Sequence, residues 1–169
     1  FVNQVVVDID ASPNEVNFYN LNGESFSNSI QVDLSFEPFY NLEFLLAYKF
    51  NEVMQNINGN LRERPLISKH KAFANVMYTT EDDKWVFDLT GIYNGSGRLP
   101  DTQQNPVEFQ LAERFDPFFI MMGQVSRKFK NLEIYIGSEN LTNFTQPNPI
   151  MAAQDPFGEN FDTSFVYGP

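Results

Sequence analysis

Ile30-Gln31-Val32-Asp33-Leu34-Ser35-Phe36-Glu37 alternates apolar and polar residues without interruption. Because successive side chains of a strand point to opposite faces, this stretch predicts a strand with one apolar and one polar face. The same alternation returns in four later segments, at 42–51, 85–94, 119–128 and 132–139. Helical periodicity is nearly absent, so the sequence predicts an all-β protein.

The predicted strands are unusually long. They cover 1–10, 26–37, 41–55, 68–79, 84–97, 117–129 and 132–145, and an eighth begins near Phe161. Strands of globular proteins average about 5–6 residues, whereas a tilted strand that crosses a bilayer needs about 9–11. Strand length therefore favours a membrane protein.

Short and long connections alternate along the chain. The short ones are 38–40, 81–83 and 130–131, and the long ones are 11–25, 56–67, 98–116 and 146–160. An outer-membrane barrel has short periplasmic turns and longer extracellular loops. Aromatic residues flank the short turns, as in the girdle at a membrane interface: Phe36, Phe39, Tyr40, Trp85, Phe87 and Phe129. These features predict part of an antiparallel up-and-down transmembrane β-barrel whose apolar face meets lipid.

Composition narrows the possible functions. The net charge of −11, from 22 acidic and 11 basic residues, argues against a nucleic-acid partner. The absence of cysteine excludes disulfides and thiolate metal sites. No apolar run is long enough for a transmembrane helix. Phe1 falls within a predicted strand, and we therefore expect the chain to be a piece of a longer polypeptide.

Residues with possible chemistry do not predict an enzyme. His70 is the only histidine, so a multi-histidine zinc site cannot form. Because His70 lies beside Lys69 and Lys71, it is interpreted as a residue at an extracellular strand entrance rather than a member of a catalytic triad. Two carboxylate pairs, Glu37/Glu43 and Glu133/Glu139, are interpreted as lumen-facing charges rather than acid/base dyads. The methionines are interpreted as packing residues rather than a copper site: Met54, Met77, Met121, Met122 and Met151. We predict no catalytic, cofactor-binding or metal-binding residue and assign no ligand-binding residue.

A series of motifs resembles one family. Gly137-Ser138-Glu139-Asn140-Leu141-Thr142-Asn143, within 131–143, is similar to the penultimate barrel strand of TonB-dependent outer-membrane receptors of the Bacteroidota type, whose pattern is G-x-E-N-L-[TF]-[ND]. Further segments resemble that family in the same order along the chain: 1–8, 15–20, 64–73, 94–100, 145–150, 155–158, Phe161-Asp162 and Val166-Tyr167-Gly168-Pro169. The resemblance covers essentially the whole chain.

The resemblance implies a specific function. Residues 1–169 would form about 7–8 strands in the C-terminal part of a 22-stranded barrel, without the plug domain, the earlier strands and the final strand. The receptor would import a scarce nutrient (a siderophore, haem, a metal complex or similar) across the outer membrane. Its expected partners are the plug and remaining strands, the TonB complex acting through the plug, outer-membrane lipid and the small-molecule substrate. Loops 98–116 and 146–160 would help to close over that substrate.

Two alternatives remain open on the sequence. A small stand-alone outer-membrane barrel, acting as an anchor or adhesin, needs only eight strands. A soluble β-sandwich that binds carbohydrate would place the apolar faces in a protein core. If the chain forms an open sheet of about seven strands in lipid, its unpaired edges are not tolerated, and further strands must pair with them.

Overall fold

The computed structural model describes residues 5–12, 15–21, 23–57 and 59–169. Over these residues the protein is all-β, with antiparallel sheets and one short 3-10 helix at Val107–Phe109. The strands are β1 (Val5–Ser12), β2 (Glu15–Asn20), β3 (Phe26–Phe39), β4 (Leu42–Ile57), β5 (Asn60–Glu63), β6 (His70–Thr79), β7 (Trp85–Asn94), β8 (Gly97–Arg98), β9 (Arg114–Phe115), β10 (Phe118–Lys128) and β11 (Glu133–Ser138). In the described part of the chain, no helix is long and apolar enough to cross a membrane.

One large antiparallel sheet contains seven of these strands. Its order is β11-β10-β7-β6-β4-β3, and β5 pairs with the far end of β4. Long strands therefore follow one another as neighbours in an up-and-down arrangement. The sheet does not close within the described residues, because β3 and β11 each pair along one edge only. The expected all-β, antiparallel class is confirmed.

All three short turns lie at one end of this sheet, which we call the turn end. They join β3 to β4, β6 to β7 and β10 to β11. The register places them together, since Leu42 pairs with Tyr78, and Trp85 pairs with Arg127. Asn41 and Asp83 adopt the left-handed conformation that such tight turns require. The long connections leave from the opposite end, called here the loop end, as the sequence predicted.

Several strand predictions need correction. The segment 132–145 was expected to be one strand, but β11 ends at Ser138. The Asn140 side-chain oxygen accepts hydrogen bonds from the Thr142 hydroxyl and the Phe144 N–H, and Asn143 has a φ of 51°. This local turn competes with the ladder and ends regular pairing. No strand begins near Phe161 in the described chain, where only an isolated bridge joins Asp162 to Met151.

Three of the predicted long loops also contain short strands. The 11–25 connection includes β2, which pairs with β1 in a separate hairpin rather than in the large sheet. Residues 1–4 of the first predicted strand lie outside the described residues. The 56–67 connection contains β5, and the 98–116 connection is closed at its base by the β8–β9 pair. Because these loops are rich in polar residues, the sequence did not predict the strand pairing that satisfies the hydrogen-bonding groups of their backbone.

The buried hydrophobic cluster lies at the loop end, outside the large sheet's middle. Leu99, Phe115 and Phe118 form its centre. Partly buried apolar side chains surround them: Leu66, Leu111, Ile120, Phe144 and Tyr167. The Phe115 ring presses against Gly97, where any Cβ would lie 2.5 Å from the ring and 2.6 Å from the Ile67 carbonyl oxygen. Glycine is therefore required at this position.

Candidate functional site

The large sheet has one continuous apolar face. In register across neighbouring strands, Leu34 pairs with Leu46, Leu46 with Ala74, and Ala74 with Gly91. Leu34, Leu46, Leu89 and Ile134 are 53%, 37%, 47% and 55% exposed. No second layer of the described chain covers this face. In a β-sandwich, these side chains would instead be buried against another sheet.

Burial on the central strand β7 is the reverse of that in a water-soluble sheet. Phe87 and Leu89 on the apolar face are exposed, whereas Asp88 and Thr90 on the opposite face are partly buried. The Asn75 amide nitrogen donates hydrogen bonds to Asp88 Oδ2 at 3.0 Å and to Thr90 Oγ1 at 2.8 Å. These three side chains form a hydrogen-bonded group on the opposite face, which also carries apolar residues such as Phe73 and Ile92. Asp33 and Glu133 on the outer strands are exposed.

Aromatic rings form a band across the apolar face near the turn end. The ring centroids of Phe36 and Phe44 lie 5.2 Å apart, and those of Tyr78 and Phe87 lie 6.4 Å apart. The Arg127 guanidinium lies 4.5 Å from the Trp85 ring centroid. A cation that reaches back over an interfacial aromatic ring is typical of the membrane boundary.

A second aromatic band crosses the same face near the loop end. It contains Tyr48, Phe50, His70, Tyr93 and Phe119, which are neighbours in the register. The Tyr48 hydroxyl lies 2.7 Å from His70 Nδ1, and the His70 ring packs 5.4 Å from that of Phe50. Sequence reasoning found only the turn-end band, because these five residues lie on four strands and only the register joins them.

Small and aliphatic residues separate the two aromatic bands: Leu34, Leu46, Ala74, Val76, Leu89, Gly91, Met121, Gly123 and Val125. From His70 to Tyr78 on β6, the strand advances about 26 Å at roughly 3.3 Å per residue. Tilted by about 40°, that length spans about 20 Å, close to the roughly 25 Å apolar band of outer-membrane barrels. Beyond the loop-end band the face becomes polar, where Asn28 donates a hydrogen bond to Glu52.

The 98–116 loop is a compact structure in its own right. Its base is closed where the Leu99 N–H donates to the Glu113 carbonyl oxygen at 2.9 Å. Inside the loop, the buried Thr102 hydroxyl accepts a hydrogen bond from the Leu111 N–H at 2.8 Å. Such internal bonds order the loop before any ligand arrives, which lowers the entropy lost on binding.

The segment that begins at 146 is closed by a single buried side chain. The Gln146 amide nitrogen donates to the Phe165 carbonyl oxygen at 2.7 Å. Its amide oxygen accepts from the Tyr167 N–H at 2.8 Å and the Gly168 N–H at 3.1 Å. Gln146 therefore holds residues 165–168 against the start of the loop.

Gln146 gives a local stability prediction. Gln146→Ala leaves two N–H groups and one carbonyl without partners, so amide hydrogen exchange at Tyr167 and Gly168 should accelerate by about 10–100-fold. Gln146→Glu keeps the accepting oxygen and should produce a smaller change. The matched control is Gln104→Ala, at an exposed glutamine of the neighbouring loop. Equal exchange rates in all three variants would contradict the assigned role of Gln146.

The two loops and the residues that flank them pack together at the loop end. The Phe115 and Tyr167 rings stack with centroids 4.0 Å apart, and the Phe118 and Phe144 rings stack at 4.5 Å. Burial raises the pKa of Tyr167, and the nearby Asp116 charge adds to this effect. A buried methionine, Met151, accepts a hydrogen bond from Asn105 at 3.3 Å. The loops thus form one packed cap.

An ion pair attaches the β1–β2 hairpin to this cap. Arg98 donates to both carboxylate oxygens of Asp10, at 2.7 and 3.0 Å. The side chains are only 12% and 3% exposed, so the pair is well shielded from water. Within the hairpin, burial and the hydrogen bond to Asp8 raise the pKa of Tyr19 to about 12.

Glu63 on β5 forms salt bridges with two cations, Lys69 and Arg114. Burial alone would raise the pKa of this carboxyl, but hydrogen bonds from Lys69 and Arg114 outweigh that effect and lower it. Glu63 is therefore ionised at neutral pH and ties β5 to the base of the 98–116 loop.

Two cavities open at the loop end. The larger, about 500 Å³, is lined by β5 and the 98–116 loop and includes Arg62, Glu63, Arg98 and Asp101. The smaller, about 340 Å³, lies between the two loops. Both volumes fall in or near the range of about 300–1,000 Å³ that is typical of small-molecule sites. The 98–116 and 146–160 loops, which the resemblance implicated in ligand closure, are thus brought together beside concave surfaces.

The other residues considered from the sequence are not assembled into a site. Glu37 accepts a hydrogen bond from the Asn41 N–H in a turn. Glu133 and Glu139 are six positions apart along one extended segment, about 20 Å at roughly 3.3 Å per residue. Met121 lies on the apolar face and Met122 on the opposite one. Among the residues that the structure describes, no three His, Asp or Glu side chains are arranged to hold a metal.

Comparison with known proteins adds no relative: no protein-family model, curated protein or solved structure matches this chain.

Proposed function

We propose that this chain is part of the barrel wall and extracellular loops of a TonB-dependent outer-membrane receptor that imports a scarce nutrient. The observation that carries the proposal is the exposed apolar face bounded by two aromatic bands. A face of this height and composition suits the hydrocarbon core of a bilayer, and its aromatic margins suit the two interfaces.

The one-sided arrangement of connections supports the same proposal. All short turns lie beyond one aromatic band, and the packed loops and cavities lie beyond the other. In an outer-membrane barrel the first end faces the periplasm and the second faces the medium. The open edges of β3 and β11 would pair with further strands of the same polypeptide, because unpaired backbone groups are not tolerated in lipid.

No comparable observation supports the two alternative interpretations, a stand-alone barrel and a soluble β-sandwich. A stand-alone barrel needs a closed sheet, and the described strands leave two edges open. A soluble β-sandwich needs a second layer over the apolar face, and within the described residues that face is uncovered. The ordered receptor motifs, above all 137–143, favour the importer among membrane proteins.

Surface labelling of intact cells tests the membrane orientation. This chain has no cysteine. Once any cysteine elsewhere in the full-length protein is replaced, a single one can be introduced at each end of the sheet. We expect Gln104→Cys, in a loop, to react with a membrane-impermeant maleimide. Asp82→Cys, in a turn, should react only after the outer membrane is permeabilised. The opposite pattern, or a protein recovered in the soluble fraction, would refute the proposed location.

Transport itself is tested by removing energy coupling. Cells that depend on the full-length protein for a limiting iron or haem source should stop growing when its TonB box is deleted, although the protein still reaches the outer membrane. Growth that is indifferent to this deletion would argue for an anchor or a passive pore instead.

A further inference from the structure

One row of side chains on the polar face of the large sheet carries hydrogen-bond donors on four strands, before it reaches the buried Phe118 on β10. Across four neighbouring strands, Gln31 pairs with Lys49, Lys49 with Lys71, and Lys71 with Asn94. Paired residues of an antiparallel sheet point to the same side. The row therefore places two lysine side chains on neighbouring positions of the same face near the loop end, and each has a carboxamide residue as its other neighbour.

The central pair of this row is electrostatically unfavourable by itself. Side chains directly opposite each other on antiparallel strands have Cβ atoms about 4.5–5.5 Å apart, and like charges in that relation destabilise the sheet. The lysines repel each other unless an anion lies between or above them. A chain with net charge −11 has ample carboxylates with which to neutralise them.

Neighbouring cations show such neutralisation. Lys69, two residues before Lys71, and Arg114 both bind Glu63, and Arg98 binds Asp10. None of the ion pairs among the described side chains includes Lys49 or Lys71.

The nearest acid on the polar face is already engaged. Asp33 lies one pair further along β3, and both of its carboxylate oxygens accept from the Gln31 amide, each at 3.1 Å. Asp33 supplies one negative charge against the two positive charges of Lys49 and Lys71, so this part of the polar face carries an excess of positive charge. That excess is local and contrasts with the acidic chain as a whole.

We propose that Lys49 and Lys71 form an anion-binding pair that takes a carboxylate or phosphate group, with the Asn94 amide beside it. The group is held by charge-assisted hydrogen bonds from both ammonium groups. It can come from a soluble anion or from a carboxylate of another segment of the polypeptide. The inference rests on strand register and charge, and it stands independently of the proposed transport function.

The test measures unfolding of the full-length protein in lipid vesicles, with and without inorganic phosphate, for Lys49→Met, Lys71→Met and the double variant. If a soluble anion binds, phosphate should stabilise the unaltered protein, and each single variant should bind phosphate about tenfold more weakly. Without phosphate, each single variant should be at least as stable as the unaltered protein, because the repulsion is removed.

If the bound anion is instead a carboxylate from elsewhere in the polypeptide, a different result supports the proposal. Each single variant is then less stable than the unaltered protein in phosphate-free chloride buffer, and phosphate adds little. The control is Lys130→Met, at an exposed lysine in a turn at the other end of the sheet. The proposal is overturned if the single variants are neutral or stabilising in both buffers. It is also overturned if Lys130→Met weakens the phosphate effect equally, since the effect is then general charge screening.

Discussion

Leu89→Arg is expected to destabilise the full-length protein in lipid vesicles by about 2–4 kcal/mol, the range for arginine at the lipid-facing midplane of a barrel. Leu89 lies midway between the two aromatic bands, next to Val76 and Gly123 in the register. An arginine there loses its hydration in hydrocarbon, whereas at a 47% exposed position in water it would change stability by at most about 0.5 kcal/mol. Denaturant titration of the vesicle-inserted protein measures the difference.

Gln124→Arg is the matched control for this substitution. Gln124 is on the polar face of β10, where it pairs with Asp88 and its side chain is exposed. Facing a wet lumen, an arginine there should change stability little. Equal effects at Leu89 and Gln124 would mean that the two faces meet the same solvent, which is incompatible with a barrel wall.

Arg98→Met is expected to release the β1–β2 hairpin from the loop end and to destabilise this contact by about 3 kcal/mol, because removing one partner leaves a buried carboxylate uncompensated. Among the described residues, Asp10 then retains the hydrogen bond from the Asp101 N–H at 2.9 Å. Hydrogen exchange across β1 and β2 reports the release directly. Adding Asp10→Asn to Arg98→Met should restore part of the protection by removing the unpaired charge.

Lys84→Met provides the comparison for an exposed pair. Hydrogen bonds from Lys84 and Thr80 lower the pKa of Asp82 to about 2, but both charged side chains are exposed in a turn. Exposed ion pairs contribute about 0–1 kcal/mol, so this variant should leave global stability almost unchanged. If Arg98→Met is as mild as Lys84→Met, the buried pair does not hold the hairpin.

The strands and their sidedness were predictable because alternation and turn residues act locally. The four long strands β3, β4, β7 and β10 lie where the apolar and polar residues alternate. The early end of β11 was predictable in principle, since Asn140 followed by Thr142 can form a side-chain turn. The alternating pattern nevertheless predicts a strand through this segment. In the structure the local turn forms instead and ends the strand.

Contacts between distant residues were not predictable from one sequence. Gln146 bonds to Phe165, 19 positions away, and Arg98 bonds to Asp10, 88 positions away. Neither pair leaves a local pattern, because partner choice depends on how the loops pack. The loop-end aromatic band and the opposed lysines likewise depend on strand register. Alternation alone does not fix that register, because a shift by any even number of residues keeps every side chain on the same face.

The central claim is that the apolar face of the sheet contacts lipid and the polar face contacts water. The chain has no cysteine. Once any cysteine elsewhere in the full-length protein is replaced, single spin labels can be placed at Leu46, Leu89 and Glu133 of the vesicle-inserted protein. Collision rates with oxygen, which concentrates in lipid, and with a water-soluble nickel chelate then report the solvent at each site. We expect labels at Leu46 and Leu89 to collide mainly with oxygen and the label at Glu133 mainly with nickel. Nickel-dominated collisions at both leucines would contradict the account.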